Sequence, residues 1–78
     1  MKMLIYGTPS CSYCKMAKTF CEKENIPYEY KNLESEQDLL ELQRKIGNPV
    51  KTVPQIFVLE QGFAEYIGGY NNLVEKYG

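Results

Sequence analysis

The chain has 78 residues, of which three are cysteine and none is histidine or tryptophan. Nine Lys and Arg against ten Asp and Glu leave a formal charge of −1, so we expect no nucleic-acid partner. The lack of histidine excludes cysteine–histidine and serine–histidine nucleophile pairs and mixed cysteine–histidine zinc sites. Three cysteines are too few for a four-cysteine zinc or iron–sulfur site within one chain, so no metal is expected.

The length and the ordinary content of hydrophobic and charged residues, 44% and 24%, predict one soluble domain over residues 1–78. The odd number of cysteines argues against a secreted disulfide scaffold. The apolar run at the N-terminus is too short for a signal-peptide core or a membrane span. We therefore expect a cytoplasmic protein, where thiols stay reduced, with no membrane association.

The first half of the chain predicts two strands and two helices. Lys2–Tyr6 is a short apolar run that ends at a Gly-Thr-Pro turn, which is typical of a buried strand. A helix is predicted from Ser12 to about Asn25, and its apolar stripe consists of Ala17, Phe20 and Cys21. Tyr28–Asn32 predicts a second strand. Ser35, followed three residues later by Asp38, resembles a capping box and opens a second helix. This helix carries the apolar residues Leu39, Leu42 and Ile46, and it ends at Gly47-Asn48-Pro49.

The second half predicts a hairpin and a final helix. Gln55–Leu59 and Ala64–Ile67 are two β-prone runs separated by a loop that contains Gly62. Gly68-Gly69 then breaks the chain, and Asn71 or Asn72 can cap a short last helix that carries Leu73, Val74 and Tyr77. The order β-α-β-α-β-β-α predicts an α/β protein in which helices cover one sheet.

The motif Cys11-Ser12-Tyr13-Cys14 is the main chemical feature of the sequence. It lies where a strand has ended and a helix begins, so the unpaired N–H groups and the helix dipole favour a thiolate on Cys11. Lys15 adds positive potential nearby. Cys14, one turn further on, can attack a mixed disulfide formed at Cys11. A metal knuckle would need a second pair of ligands, and Cys21 alone does not supply it.

Cys21 follows Cys14 by seven residues on the same predicted helix, about 10 Å along its axis at about 1.5 Å per residue. This distance is too long for a disulfide. Cys21 also belongs to the apolar stripe, so we interpret it as a small core residue rather than a regulatory thiol.

Two further segments carry backbone features that suit a binding site. Thr52-Val53-Pro54 places a proline at the start of a strand, which is permitted at that position. Gly68-Gly69-Tyr70-Asn71-Asn72 places two glycines before a helix, whose free N-terminus can bind a carboxylate. A strand-start proline and a plain turn would explain the two segments as well, so neither defines a function alone.

Three segments together resemble the glutaredoxin family, in their order along the chain and over nearly its whole length. They are Cys11-Ser12-Tyr13-Cys14, Thr52-Val53-Pro54-Gln55-Ile56-Phe57 and Gly68-Gly69-Tyr70-Asn71-Asn72. The resemblance implies a thioredoxin-like fold with a four-stranded mixed sheet. It also implies a monomeric, glutathione-dependent thiol–disulfide oxidoreductase with Cys11 as nucleophile and Cys14 as resolving thiol. Protein disulfides or glutathione mixed disulfides would be its substrates, and ribonucleotide reductase is a candidate partner.

The resemblance further implies a cis Val53-Pro54 bond and a set of residues that bind glutathione. Val53 would pair through its backbone with the cysteinyl part, as in strand addition. Asn71 and Asn72 would hold the γ-glutamyl carboxylate, and Lys51 would meet the glycyl carboxylate. The complete set is Tyr13, Lys51, Thr52, Val53, Pro54, Gly69, Tyr70, Asn71 and Asn72.

Three departures from the family pattern leave alternatives open. Thr8 stands where many glutaredoxins have lysine, and Asn71 and Asn72 are neutral where many have an aspartate. A protein fed by thioredoxin reductase instead of glutathione is therefore one alternative. Ser12, in place of the commoner proline, leaves open a dimeric carrier of a glutathione-ligated [2Fe–2S] cluster. A thioredoxin-fold binding module without turnover is the last alternative.

Overall fold

The computed structural model describes residues 1–50 and 52–78 and contains all seven predicted elements in the predicted order. The bounds of the four strands and of the first two helices lie within two residues of the predicted ones. The elements are β1 (Lys2–Gly7), α1 (Ser12–Lys23), β2 (Tyr28–Asn32), α2 (Glu36–Ile46), β3 (Gln55–Glu60), β4 (Phe63–Gly68) and α3 (Tyr70–Tyr77).

The four strands form one mixed sheet in the order β2-β1-β3-β4. The first two strands are parallel, with Ile5 opposite Tyr30, because α1 carries the chain back between them. The other two pairs, β1 with β3 and β3 with β4, are antiparallel. The fold is thus the thioredoxin-like α/β arrangement that the resemblance implies, with a four-stranded mixed sheet between helices.

The alternation of side chains along β1 and β3 divides the core between the two faces of the sheet. Met3 and Ile5 point to one face, and Leu4 and Tyr6 point to the other. The first face packs against α1 and α3, and its buried cluster is completed by Ala17, Cys21, Ile56, Val58 and Leu73. The second face packs against α2, and its smaller cluster is completed by Leu42 and Phe57.

The ends of α2 follow the predicted capping chemistry with one change. Ser35 Oγ accepts a hydrogen bond from the Asp38 backbone N–H at 3.3 Å. The Asp38 carboxylate accepts from the N–H of Glu34 at 3.0 Å rather than from that of Ser35. Gly47 ends the helix with a φ of 83°, a left-handed conformation that glycine adopts without a steric penalty.

The predicted cap of the last helix was wrong. The N-cap is Gly69, and α3 begins at Tyr70, so Asn71 and Asn72 lie inside the first turn rather than before it. Asn72 still contributes to the helix start, because its Oδ1 accepts a hydrogen bond from the Gly69 backbone N–H at 3.1 Å. The two asparagines therefore border the N-terminus of α3 from within the helix.

None of the three helices in the described ranges combines the length and apolar character that a membrane span requires.

Cys21 lies in the core, as its place in the apolar stripe predicts. It is fully buried, and its thiol lies 3.5 Å from the Met3 sulfur. Burial, with a smaller contribution from the nearby Glu22 carboxylate, raises the pKa of this thiol from 9.0 to about 11. The thiolate of Cys21 is therefore disfavoured in the folded protein.

The raised pKa predicts that the contribution of Cys21 to the free energy of unfolding decreases at alkaline pH. Below about pH 9 the thiol is protonated in both states, whereas between pH 9 and 11 it ionises only in the unfolded state. The free energy of unfolding should then fall by about 2–3 kcal/mol as the pH rises through that window, from this group alone. In urea titrations under reducing conditions, Cys21→Ala should be less stable than the wild type at pH 8 and lose this deficit by pH 11. A deficit of equal size at both pH values would contradict the prediction.

Candidate functional site

The two cysteines of the motif lie at the N-terminus of α1, where Cys11 is the N-cap residue. The Cys14 backbone N–H donates a hydrogen bond to Cys11 Sγ at 3.2 Å. A hydrogen bond to sulfur and the positive end of the helix dipole both stabilise negative charge there. Cys11 is partly exposed, whereas Cys14 is fully buried. Only Cys11 is thus open to a disulfide that approaches from solvent.

Cys14 lies against the end of β1 and the hydroxyl group of Tyr30. A Cβ atom added to Gly7 would lie 2.5 Å from both Cys14 Sγ and Tyr30 Oη, so the glycine makes room for both side chains. The Tyr30 hydroxyl donates a hydrogen bond to the Thr8 carbonyl oxygen at 2.9 Å. Burial is the main cause that raises the pKa of the Cys14 thiol, and the neighbouring Cys11 raises it further. Cys14 is therefore held as a thiol while Cys11 is free to react.

The segment before β3 passes directly over Cys11. The Val53-Pro54 peptide bond is cis, as the resemblance implies. Cys11 Sγ lies 3.6 Å from the Val53 carbonyl oxygen and donates to it in the thiol form. Pro54 is buried, and Val53 is half-buried with its backbone beside the sulfur. A chain attached to the Cys11 sulfur would therefore lie alongside the backbone of Val53.

A groove of about 270 Å³ begins at this segment and runs to the N-terminus of α3. We call it the cis-proline groove. Eight of the nine residues that the resemblance assigns to glutathione form its lining: Tyr13, Thr52, Val53, Pro54, Gly69, Tyr70, Asn71 and Asn72. Residues far apart in the sequence are thus brought together on one side of Cys11.

Two aromatic rings close one wall of the groove. The ring of Tyr13, 56% exposed, lies 6.0 Å from that of Tyr70, with an angle of 42° between the ring planes. The first turn of α3 also borders the groove through Asn71 and Asn72, which are exposed. An anion at this turn would meet backbone N–H groups that lack partners within the helix.

Two further residues were predicted to belong to the site, Lys51 and Lys15. Lys51 lies outside the described residues. Lys15 is exposed on α1 and borders a separate groove with Met16, Thr19, Phe20, Lys23 and Tyr70. In the described part of the chain, no hydrogen bond or salt bridge joins the Lys15 side chain to Cys11, so its effect on the thiolate stays a prediction.

Sequence reasoning missed four residues that support the site. Gly7, Thr8 and Tyr30 form the surroundings of Cys14, and Gln55 contacts the cis-proline segment. Gly7 carried a signal as a glycine at the end of a buried strand just before the motif, and Gln55 and Thr8 stood at positions of the family pattern without a role in this contact. Tyr30 was assigned to a strand without any chemical role, because its contact with Cys14 depends on the pairing of β1 with β2.

Within residues 1–50 and 52–78, no group of three or more Cys, Asp and Glu side chains is arranged so that it could hold a metal ion.

Comparison with known proteins places these features in one family. The family model described as Glutaredoxin matches residues 3–63 of the chain. Glutaredoxin 1 of Escherichia coli (strain K12) is 41% identical to it over 78 aligned positions, which cover 92% of this chain and 87% of that protein. The family assignment thus rests on the sequence over most of both chains.

Solved structures agree with the sequence comparison. The structure of reduced Escherichia coli glutaredoxin matches with a TM-score of 0.77 and 38% identity, over 97% of this chain and 92% of that one. A buckwheat glutaredoxin–glutathione complex matches with a TM-score of 0.75 and 25% identity, over 96% of this chain and 66% of that one. The fold described above is therefore shared with glutaredoxins of a bacterium and a plant.

The close approach around Gly7 predicts that even one added methyl group is costly there. In Gly7→Ala the new Cβ would overlap Cys14 Sγ and Tyr30 Oη, which must both move. Overpacking of this kind costs about 1–3 kcal/mol. We expect the free energy of unfolding, measured by urea titration, to fall by that amount and Cys14 to become accessible to a thiol reagent in the native state. An unchanged denaturation midpoint together with an inaccessible Cys14 would contradict this account.

Proposed function

The chain belongs to the glutaredoxin family and is a thiol–disulfide oxidoreductase of that type; we propose that glutathione is its reductant and that Cys11 is its nucleophile. The observation that carries the proposal is the cis-proline groove, because it begins beside the Cys11 sulfur and is lined by the residues that the resemblance assigns to glutathione. The exposure of Cys11 beside a buried Cys14 supports the assignment of the two thiol roles.

The reaction begins with attack of the Cys11 thiolate on a substrate disulfide. A bond forms between Cys11 Sγ and one substrate sulfur, and the other substrate sulfur leaves as a thiolate that takes up a proton. Cys14 then loses its proton and attacks Cys11 Sγ, which releases the second substrate thiol and leaves a Cys11–Cys14 disulfide. The substrate has gained two electrons, and the two cysteines have lost them.

Two molecules of glutathione restore the dithiol. The first attacks Cys11 Sγ, forms a mixed disulfide there and frees Cys14 as a thiol. The second attacks the glutathione sulfur of this mixed disulfide, which yields oxidised glutathione and frees Cys11.

The shape of the groove supports a tripeptide attached to Cys11. The backbone of Val53 can pair with the cysteinyl unit in the manner of an added strand. The N-terminus of α3 borders the groove and suits the γ-glutamyl carboxylate. The ring of Tyr13 flanks the space between them. The matching buckwheat glutaredoxin structure is a complex with glutathione, and it adds support from within the family.

The proposal extends to partners and compartment. Protein disulfides and glutathione mixed disulfides are the proposed substrates, and ribonucleotide reductase is a proposed partner of this kind. We propose that the protein acts as a monomer in the cytoplasm, where reduced glutathione is available.

Single cysteine variants test the nucleophile and the reductant together. In an assay that couples NADPH consumption to glutathione, glutathione reductase and β-hydroxyethyl disulfide, the wild type should turn over. Cys11→Ser should fall to the uncatalysed background. Cys14→Ser should stay active on the glutathione mixed disulfide, because that route needs only the exposed thiol, but should lose activity on a protein disulfide.

Cys21→Ala is the matched control, since it removes the third thiol from the core without touching the site, and should keep wild-type activity. Turnover by Cys11→Ser would contradict the role of Cys11. If thioredoxin reductase with NADPH reduces the Cys11–Cys14 disulfide and glutathione does not, the alternative reductant is correct.

A charge introduced at Asn72 should strengthen the binding of glutathione. Asn72 Oδ1 already accepts from the Gly69 N–H, and an aspartate could keep that bond and offer its second oxygen to the glutathione ammonium. A charge-assisted hydrogen bond exceeds a neutral one by about 1 kcal/mol, so KM for a glutathionylated peptide should fall by about fivefold in Asn72→Asp. Asn48→Asp, in an exposed loop, is the control for added charge. An equal KM in the two variants would argue against an ammonium group at this position.

A further inference from the structure

Among the described residues, Gln55 is the polar residue that is buried in the core, with 7% of its surface exposed. It is the first residue of β3 and follows the cis Val53-Pro54 bond directly. Burial of an amide is unfavourable unless both its nitrogen and its oxygen find partners. The contacts of this side chain therefore identify what holds it in the core.

Both ends of the Gln55 amide are hydrogen-bonded. Nε2 donates to the Thr52 carbonyl at 2.8 Å, and Oε1 accepts from the Tyr66 hydroxyl. The orientation of the amide follows from its partners, because a backbone carbonyl accepts only and so must face the nitrogen. Gln55 thus links the segment over Cys11 to β4.

Tyr66 is held in place at the edge of the sheet. Its ring lies 5.3 Å from that of Phe57, and its Cα pairs with Phe57 across β3 and β4. The register between these strands shifts between Ile56 and Phe57, next to Gln55. Gln55 therefore lies next to the place where the regular pairing of β3 with β4 changes.

We propose that Gln55 is a positioning residue, which fixes the Thr52 carbonyl and so holds the backbone of Val53 against the substrate on Cys11. The inference rests on the proposed function, since it concerns the backbone that the cysteinyl unit would pair with. Thr52 and Val53 both line the cis-proline groove, and the Val53 carbonyl lies 3.6 Å from Cys11 Sγ. Gln55 acts on the substrate only through these two residues.

Few hydrogen bonds tie the described part of the chain between α2 and Pro54. The residues between the end of α2 and the start of β3 form no helix or strand in their described part. Gln43 Oε1 accepts from the Val50 N–H at 2.9 Å and ties the start of this segment, and Gln55 ties its end. Loss of the Gln55 bond should release the Thr52 carbonyl while the disulfide chemistry at Cys11 stays intact.

The first test is Gln55→Leu, which keeps the volume but removes both hydrogen bonds. KM for a glutathionylated peptide should rise by about 3–10-fold, the effect of one ordinary hydrogen bond, with kcat unchanged. The rate of Cys11 alkylation by iodoacetamide should stay at the wild-type value. Gln61→Leu, an exposed position between β3 and β4, is the matched control and should leave all three quantities unchanged.

Gln55→Glu preserves the shape of the side chain. It also gives a second readout, which a purely structural role for Gln55 would not produce. A carboxylate cannot donate to the Thr52 carbonyl, whereas the protonated acid can. The ratio of the variant's KM to the wild-type KM should therefore fall toward one as the pH is lowered. Tyr66→Phe removes only the outer hydrogen bond, so its KM should lie between those of the wild type and Gln55→Leu.

A KM for Gln55→Leu or Gln55→Glu equal to that of Gln61→Leu, or a pH-independent ratio for Gln55→Glu, would overturn the inference. The same series measured on a disulfide-linked peptide, with dithiothreitol as reductant, gives a result that does not depend on glutathione. A wild type that turns over only with dithiothreitol would contradict the proposed reductant, and the KM series would still decide the role of Gln55.

Discussion

The antiparallel pairing of β1 with β3 at the centre of the sheet is the constraint on which the site depends. In this register Tyr6 lies opposite Gln55, so the C-terminal end of β1 is beside the N-terminal start of β3. The loop that carries Cys11 leaves one strand where the cis-proline segment enters the other. A parallel pairing would have placed these two segments at opposite ends of the sheet.

The helices complete the site from one face. Both α1 and α3 pack on the face that contains Met3 and Ile5, and their buried residues meet in one cluster. Because β1 and β4 both end where β3 begins, the N-termini of α1 and α3 lie at the same end of the sheet. One lies beside the Cys11 sulfur and the other borders the cis-proline groove. The proposed nucleophile and the proposed carboxylate of glutathione would each lie at a helix end of favourable charge.

The difference between the two cysteines of the motif also follows from this packing. Cys14 is one turn inside α1 and faces β1, where Gly7 leaves just enough space for its sulfur beside Tyr30. Cys11 stays at the cap, outside the core. The same helix therefore holds one thiol exposed and ready to react and the other buried and protonated, without any histidine as a base.

The sequence by itself determined the order of the elements, the division of Cys11 and Cys14 from Cys21, and the family resemblance. These features depend on local patterns: the spacing of apolar residues, the capping residues and a short motif. The start of α3 was misassigned because both asparagines are good caps, whereas the turn after β4 made Gly69 the cap. The tertiary structure alone decided the contact of Tyr30 with Cys14, the convergence of the groove residues and the buried amide of Gln55. These contacts join residues far apart in the chain, and only the pairing of the strands brings them together.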